Sequence, residues 1–149
     1  MKKIIFTIIF FQFFILSATP QFKLEVKGRV LNSDKPITGA ILHLYKDSVE
    51  VQSIITNEDG EFVFIQFQYN NEYLLTATKE GFITKKLIIS LNGFTDSKAR
   101  EYQGECNLTI VLNENPSIKN LSSQLNVLLA KPVGRIYYDS LENDLKVER

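Results

Sequence analysis

Cysteine, histidine and tryptophan are nearly missing from this 149-residue chain, which has one cysteine, one histidine and no tryptophan. A lone cysteine excludes a disulfide framework, so the fold must be held by packing. One histidine and one cysteine are too few for the zinc sites that draw on several such ligands. Neither sign of charge dominates, with 17 lysines and arginines against 17 aspartates and glutamates. A chain so balanced lacks the basic stripe that nucleic acid requires and has no strong attraction to an acidic membrane surface. A phosphate-cradling motif such as Gly-x-x-x-x-Gly-Lys is absent as well.

One long apolar run is present. Ile4 to Leu16 is interrupted only by Thr7 and Gln12, follows Lys2 and Lys3, and precedes Ser17-Ala18-Thr19. A basic start, an apolar stretch shorter than the roughly 20 residues of a spanning helix, and small residues after it describe a cleavable export signal. Phe10, Phe11, Phe13 and Phe14 leave this run no polar face for a soluble domain. Residues 1–19 are therefore expected to be a signal peptide. The protein is expected in the periplasm or at the outer-membrane surface, with no transmembrane span after cleavage. No cysteine follows the run directly, which argues against a lipid anchor. The remaining ~130 residues suffice for one domain with its own core.

Beyond Phe22 the apolar positions alternate. Phe22, Leu24, Val26 and Val30 oppose Lys23, Glu25, Lys27 and Arg29, the pattern of a strand with one buried face. After the turn cluster Asn32 to Pro36, Ala40, Leu42 and Leu44 oppose Ile41, His43 and Tyr45. Further strands are expected over Val51–Thr56, Phe62–Ile65, Tyr73–Thr78, Phe82–Ser90 and Asn107–Leu112. Leu87-Ile88-Ile89 has the continuous apolar character of a segment covered on both sides. About seven short strands at ten-residue spacing describe an all-β, antiparallel Greek-key sandwich. No helical period is visible between Phe22 and Leu112, and Asn92–Glu105 reads as a long polar connection.

The centre of this cadence is Thr56-Asn57-Glu58-Asp59-Gly60-Glu61-Phe62. Asp59-Gly60 supplies the positive φ of a tight hairpin turn, with Asn57 and Phe62 at its flanks. Together with Gly28-x-Val30, Pro36-Ile37-x-Gly39-Ala40-x-Leu42 and Gly81-Phe82, this turn resembles the carboxypeptidase regulatory-like domain. The resemblance covers about 90 residues, Phe22 to Leu112, and implies a seven-stranded transthyretin-like sandwich. Asn57 stands where that family usually has Asp. The resemblance implies an accessory domain rather than a peptidase, since no metal-ligand motif accompanies it. On this reading residues 20–112 form the sandwich and residues 113–149 a C-terminal extension.

The extension begins with the breaker Asn113-Glu114-Asn115-Pro116. From Ser117 to Leu129, Ile118, Leu121, Leu125 and Leu128 stand near helical spacing, while Leu125, Val127 and Leu129 alternate; helix and strand patterns compete there. Val133 to Tyr138 reads as an added edge strand, and Ser140 to Arg149 as a frayed charged end.

Candidate chemistry is sparse. His43 sits on the partly exposed side of its strand, with no second histidine to support a metal site, and a hydrolase would rest on it alone. Cys106 reads as a small buried hydrophobe. Glu58, Asp59 and Glu61 lack the ligand spacing of a calcium loop and read as a solvated turn. Asp47-Ser48-Val49 and Asp139-Ser140-Leu141 resemble an O-glycosylation signal of some Gram-negative envelope proteins. Tyr69, Tyr73, Tyr102, Tyr137 and Tyr138 offer aromatic faces for sugar or protein contact, or simply suit strands. No catalytic, metal or cofactor site is expected. The function expected is a non-catalytic module for protein interaction or scaffolding in a bacterial envelope, with another envelope protein or a glycan as partner. Its contacts are expected at sheet edges, in the Asn92–Glu105 connection and along Val133–Tyr138, so at Tyr102, Ile136, Tyr137 and Tyr138. A carbohydrate-binding accessory module is the alternative, and a hydrolase the third reading.

Overall fold

Two β-sheets pack face to face in the computed structural model, which describes residues 21–114 and 131–148. The expected leader and the Ser117–Leu129 segment lie outside the described residues. The first sheet contains β1 (Lys23–Asn32), β2 (Lys35–Pro36), β5 (Glu61–Phe64) and β8 (Gln103–Val111), with β1 bonded to all three others. The second contains β3 (Ile41–Lys46), β4 (Val49–Ile55), β6 (Glu72–Thr78), β7 (Lys85–Ser90), β9 (Arg135–Asp139) and β10 (Asp144–Glu148). Its strand order is β10-β9-β7-β6-β3-β4.

The two-residue hydrophobic period becomes the inner face of each sheet. Leu24, Val26 and Val30 of β1 and Phe62 and Phe64 of β5 face Leu42, Leu44, Leu75 and Ile89 across the interior, all buried. Burying each such side chain contributes about 1.5–3 kcal/mol, which is what the missing disulfides would otherwise have to supply. The alternate residues Val63 and Ile65 remain exposed, as the alternation requires.

The all-β sandwich is thus as the pattern implies, with several departures. There are ten strands among the described residues rather than seven. Two pairings are parallel: β1 with β8, and β7 with β9. For β8 the reason is the route of the chain after β7, which crosses the end of the sandwich and enters the first sheet beside the start of β1, where the Lys23 amide donates to the Tyr102 carbonyl at 3.0 Å. That crossing contains a helix, α1 (Asp96–Glu101), capped by the Thr95 hydroxyl, which accepts from the Lys98 amide at 3.4 Å. Six residues are too few to display a helical period, so α1 left no trace in the pattern. The strand expected from Asn107 begins four residues earlier, at Gln103.

The hairpin expected at Asn57–Gly60 is not a hairpin. β4 pairs with β3 in the second sheet and β5 pairs with β1 in the first, so the turn carries the chain between sheets. Gly60 has φ +72°, and a Cβ there would press on the Val30 carbonyl. The Asn57 side-chain carbonyl accepts from the amides of Asp59 (3.1 Å) and Glu61 (2.8 Å). Thr56 is buried beside it; its hydroxyl donates to the Ile37 carbonyl at 2.6 Å and accepts from the Ala40 amide at 2.9 Å.

The C-terminal stretch enters the second sheet. β9 does form where Val133–Tyr138 reads as a strand, lying next to β7 with Ile136 fully buried. The frayed end expected after Ser140 is instead β10, paired antiparallel with β9. Lys146 fastens this hairpin, with its ammonium 2.8 Å from Asp139 and 2.7 Å from Glu142.

Two substitutions test this arrangement. Gly28 lies opposite Leu108 in the β1–β8 pairing, and a Cβ at Gly28 would run into the Leu108 carbonyl oxygen. Gly28→Ala should cost about 1–3 kcal/mol or more by forcing these backbones apart, read as a lower urea midpoint. Ile136→Ala should cost about 2–5 kcal/mol if β9 is part of the core, against no more than about 0.5 kcal/mol for Leu141→Ala at an exposed turn. Equal midpoints for these last two variants would remove β9 from the cooperative unit.

Candidate functional site

The lone histidine comes closest to a catalytic arrangement. His43 faces outward from β3, and the β3–β4 register sets it opposite Ser53. Its Nδ1 lies 2.8 Å from Glu50 Oε2 and 3.4 Å from the Ser53 hydroxyl. A serine–histidine–acid triad divides its bonds, with one ring nitrogen toward the hydroxyl and the other toward the carboxylate. Here both partners approach the same nitrogen. A proton taken from Ser53 would have to enter the position that Glu50 already occupies. The cluster also stands on the outer face of the sheet, so the arrangement orients a surface pair and gives no route to a nucleophile.

Cys106 is buried on the inner face of β8, and burial pushes its thiol above the ordinary range, away from the thiolate that reacts. In the Thr56–Phe62 turn, Glu61 is taken up by Arg29 at 2.7 Å and by the Asn57 amide at 3.3 Å. The Arg29 bond holds the Glu61 carboxyl below the usual range. Phe62 is core, Gly60 is buried, and Asn57 and Asp59 are exposed. Among the described residues no group of three or more histidine, cysteine, aspartate or glutamate side chains is placed to hold a metal ion.

The residues expected to form a contact surface need correction. Tyr102, Ile136 and Tyr138 are 8%, 0% and 6% exposed, and only Tyr137 is part-exposed. Tyr138 stacks on Phe94 with ring centres 3.5 Å apart, and Tyr102 stacks on Phe22 at 5.6 Å. Tyr69 also packs on Phe22, and Tyr73 is 2% exposed. These aromatics close one end of the sandwich, so they form no flat exposed platform for a sugar. Their place in a long connection and an unmatched tail points Tyr102, Ile136 and Tyr138 to the surface, and burial in the sandwich places them in the core instead.

The opposite end is open. A cleft of about 1020 Å³ lies between the sheets, with Leu75, Leu87, Leu108, Ile110 and Val147 among its walls and Lys85, Lys86 and Glu148 also lining it. On one side it follows Asn107–Val111 of β8, and on the other it reaches β10. Among the described residues β8 pairs only with β1, so it is an edge of its sheet, as β10 is of the other. Leu108 and Ile110 belong to the alternation of the strand but are only partly buried, because among the described residues no strand of the second sheet closes over them. Sequence reasoning missed this cleft. Apolar alternation states which face is inward and carries no information about whether the facing layer is complete.

No protein-family model matches the chain, and no curated protein matches it. Solved structures of similar architecture include 3-chlorocatechol 1,2-dioxygenase from Rhodococcus opacus, 11% identical over 66% of this chain and 62% of that one, with a TM-score of 0.48. The dioxygenase domain of a dioxygenase–carbohydrate-binding fusion from a cellulolytic Streptomyces is 17% identical over 68% and 86%, TM-score 0.46. A DUF3823 family protein from Parabacteroides merdae is 19% identical over 64% and 47%, TM-score 0.42. This chain spans less than two thirds of the Rhodococcus and Parabacteroides proteins. At these TM-scores the likeness carries no argument about fold or chemistry.

Burial against the aromatic end raises the Tyr102 phenol to about 12, with Asp144, Cys106 and Tyr138 adding to the effect. An unfolded tyrosine titrates near 10. The folded protein therefore keeps this proton where the unfolded chain loses it. The associated stability is complete below about pH 10 and declines as pH rises toward 12. Tyr102→Phe, which keeps the ring, should lessen the fall in urea midpoint between about pH 9 and 11. An unchanged alkaline slope would show that Tyr102 is not protected by burial.

Proposed function

We propose that this protein is a non-catalytic interaction module of the carboxypeptidase regulatory-like kind, working in the cell envelope after export. We infer further that it holds an extended segment of a partner protein in the cleft between β8 and β10. The observation that carries this reading is the apolar cleft of about 1020 Å³ running beside a sheet edge. Nine residues of β8 are bonded on one side only among the described residues. An extended peptide can add to such an edge through its own amides and carbonyls, with alternate side chains entering the cleft.

The family assignment rests on the glycine and turn motifs from Gly28 to Phe82, and the envelope location on the Lys2–Thr19 pattern. The non-catalytic reading is supported by the His43 geometry, in which carboxylate and hydroxyl compete for one nitrogen. Recognition by shape and edge pairing needs none of the titratable groups that the interior lacks.

A photo-crosslinking residue at Val147, in the cleft, should trap a protein partner in the cells that make this chain. The same residue at Ile55, exposed on the far edge strand, should not. Val147→Glu should weaken capture several-fold with little change in melting temperature, since Val147 is 54% exposed. Equal adducts from both positions, or none from Val147, would count against the cleft as the binding surface.

A further inference from the structure

The two Asp-Ser-aliphatic triplets are remote in sequence yet meet at one end of the molecule. Asp47-Ser48 forms the turn between β3 and β4, and Ser140 begins the turn between β9 and β10. Lys46 pairs with Tyr73, Glu72 with Ser90, and Ser90 with Tyr137, so β3, β7 and β9 all finish at the same edge of the second sheet. The strands that lead into the two turns, β3 and β9, are three strand spacings apart, about 15 Å.

Both turns present their serine in the same way. Ser48 and Ser140 are exposed, and neither hydroxyl has a hydrogen-bond partner among the described residues. Ser53 and Ser97, by contrast, are engaged with His43 and Thr95. The aliphatic residues that follow point into solvent, with Val49 64% and Leu141 94% exposed. Neither contributes to the core, so the fold does not require either to be apolar. Ser48 also occupies a costly position. Asp47 and Ser48 have φ +50° and +65°, where a two-residue hairpin turn prefers glycine second.

We propose that Ser48 and Ser140 are O-glycosylated, each through its side-chain hydroxyl. In the transfer the serine oxygen attacks the anomeric carbon of a sugar activated as its phosphate or diphosphate ester. The new carbon–oxygen bond forms as the bond to phosphate breaks, the phosphate leaves with that electron pair, and the hydroxyl proton passes to a base on the transferase. At Ser48 charge favours a sugar over a phosphoryl group, since a phosphate there would stand beside Asp47 and be repelled, whereas sugar hydroxyls can donate to that carboxylate. Beside Ser140, Lys146 neutralises Asp139 and Lys98 bonds the Ser140 carbonyl, so there the added mass decides between the two groups. The modified end is opposite the cleft, so glycans there leave the proposed binding surface open.

The test is the intact mass of the tagged protein purified from its own cells. Ser48→Gly, which relieves the turn, and Ser140→Ala should each remove one glycan mass, and the double variant both. Ser33→Ala should remove nothing, because Ser33 is exposed but lies between Asn32 and Asp34. A wild-type mass equal to that of the double variant after allowing for the substitutions, an excess equal to phosphate, or a glycan that survives the double variant would each overturn the proposal.

Discussion

The buried hydroxyl of Thr56 is the contact on which the two-sheet arrangement turns. It donates to the Ile37 carbonyl and accepts from the Ala40 amide, and those two groups flank the point where the chain leaves β2 for β3. The same residue begins the return from β4 to β5. One hydroxyl therefore fastens both crossings between sheets, in an interior where each unpaired polar group would cost about 1–3 kcal/mol. Next to it, the Asn57 side chain caps two amides of the turn, and Gly60 allows its closing bond to Val30, 2.8 Å long. The order of the strands follows from these crossings. Once β5 is placed against β1, Phe62 and Phe64 are committed to the interior and meet Leu42 and Leu44 from the other layer.

How much of this is legible in the sequence depends on distance along the chain. Alternation is local, and it identifies β1 and β3 with their two faces correctly separated and places β5 and β6 along the chain. Asp59-Gly60 also marks a true turn. What alternation cannot express is which strand lies beside which. A tight turn between two alternating runs has the same appearance whether the runs pair or separate, so the hairpin reading of Asn57–Gly60 failed on a question of partner. The parallel placement of β8 depends on Gly28 being small enough for the Leu108 carbonyl to approach, a fact about residues far apart in sequence. The short helix at Asp96 is hidden for a different reason, being little longer than one turn and a half.

The candidate site was less legible than the fold, and for the same physical cause. Ile136 and Tyr138 suggested a contact surface because aromatic and aliphatic residues in an unmatched segment have no evident core to join, and Tyr102 because it stands in what reads as a long polar connection. The segment supplies that core itself: β9 places Ile136 and Tyr138 against Ile89 and Phe94, so apolar character there reflects burial. His43 shows the opposite limit. The sequence identifies its exposed side of the strand, but only the β3–β4 register brings Glu50 and Ser53 to it, and only the atoms show that both seek Nδ1.

These features divide the molecule into two unlike ends. At one, Phe22, Phe94, Tyr102 and Tyr138 interlock, edge to face and stacked. At the other, the first sheet is too narrow to cover the second, whose six strands extend past it. Apolar side chains of β6 and β7 are then left facing a gap. A sandwich of unequal sheets must either fill that gap with more chain or offer it to a partner, because apolar walls in contact with water are a standing free-energy cost of about 25 cal/mol per Å². The edge of β8, unpaired among the described residues, adds a second unsatisfied demand along the same line, a row of backbone donors and acceptors. One extended strand would meet both demands at once, which is the physical basis of the interaction role proposed for this chain.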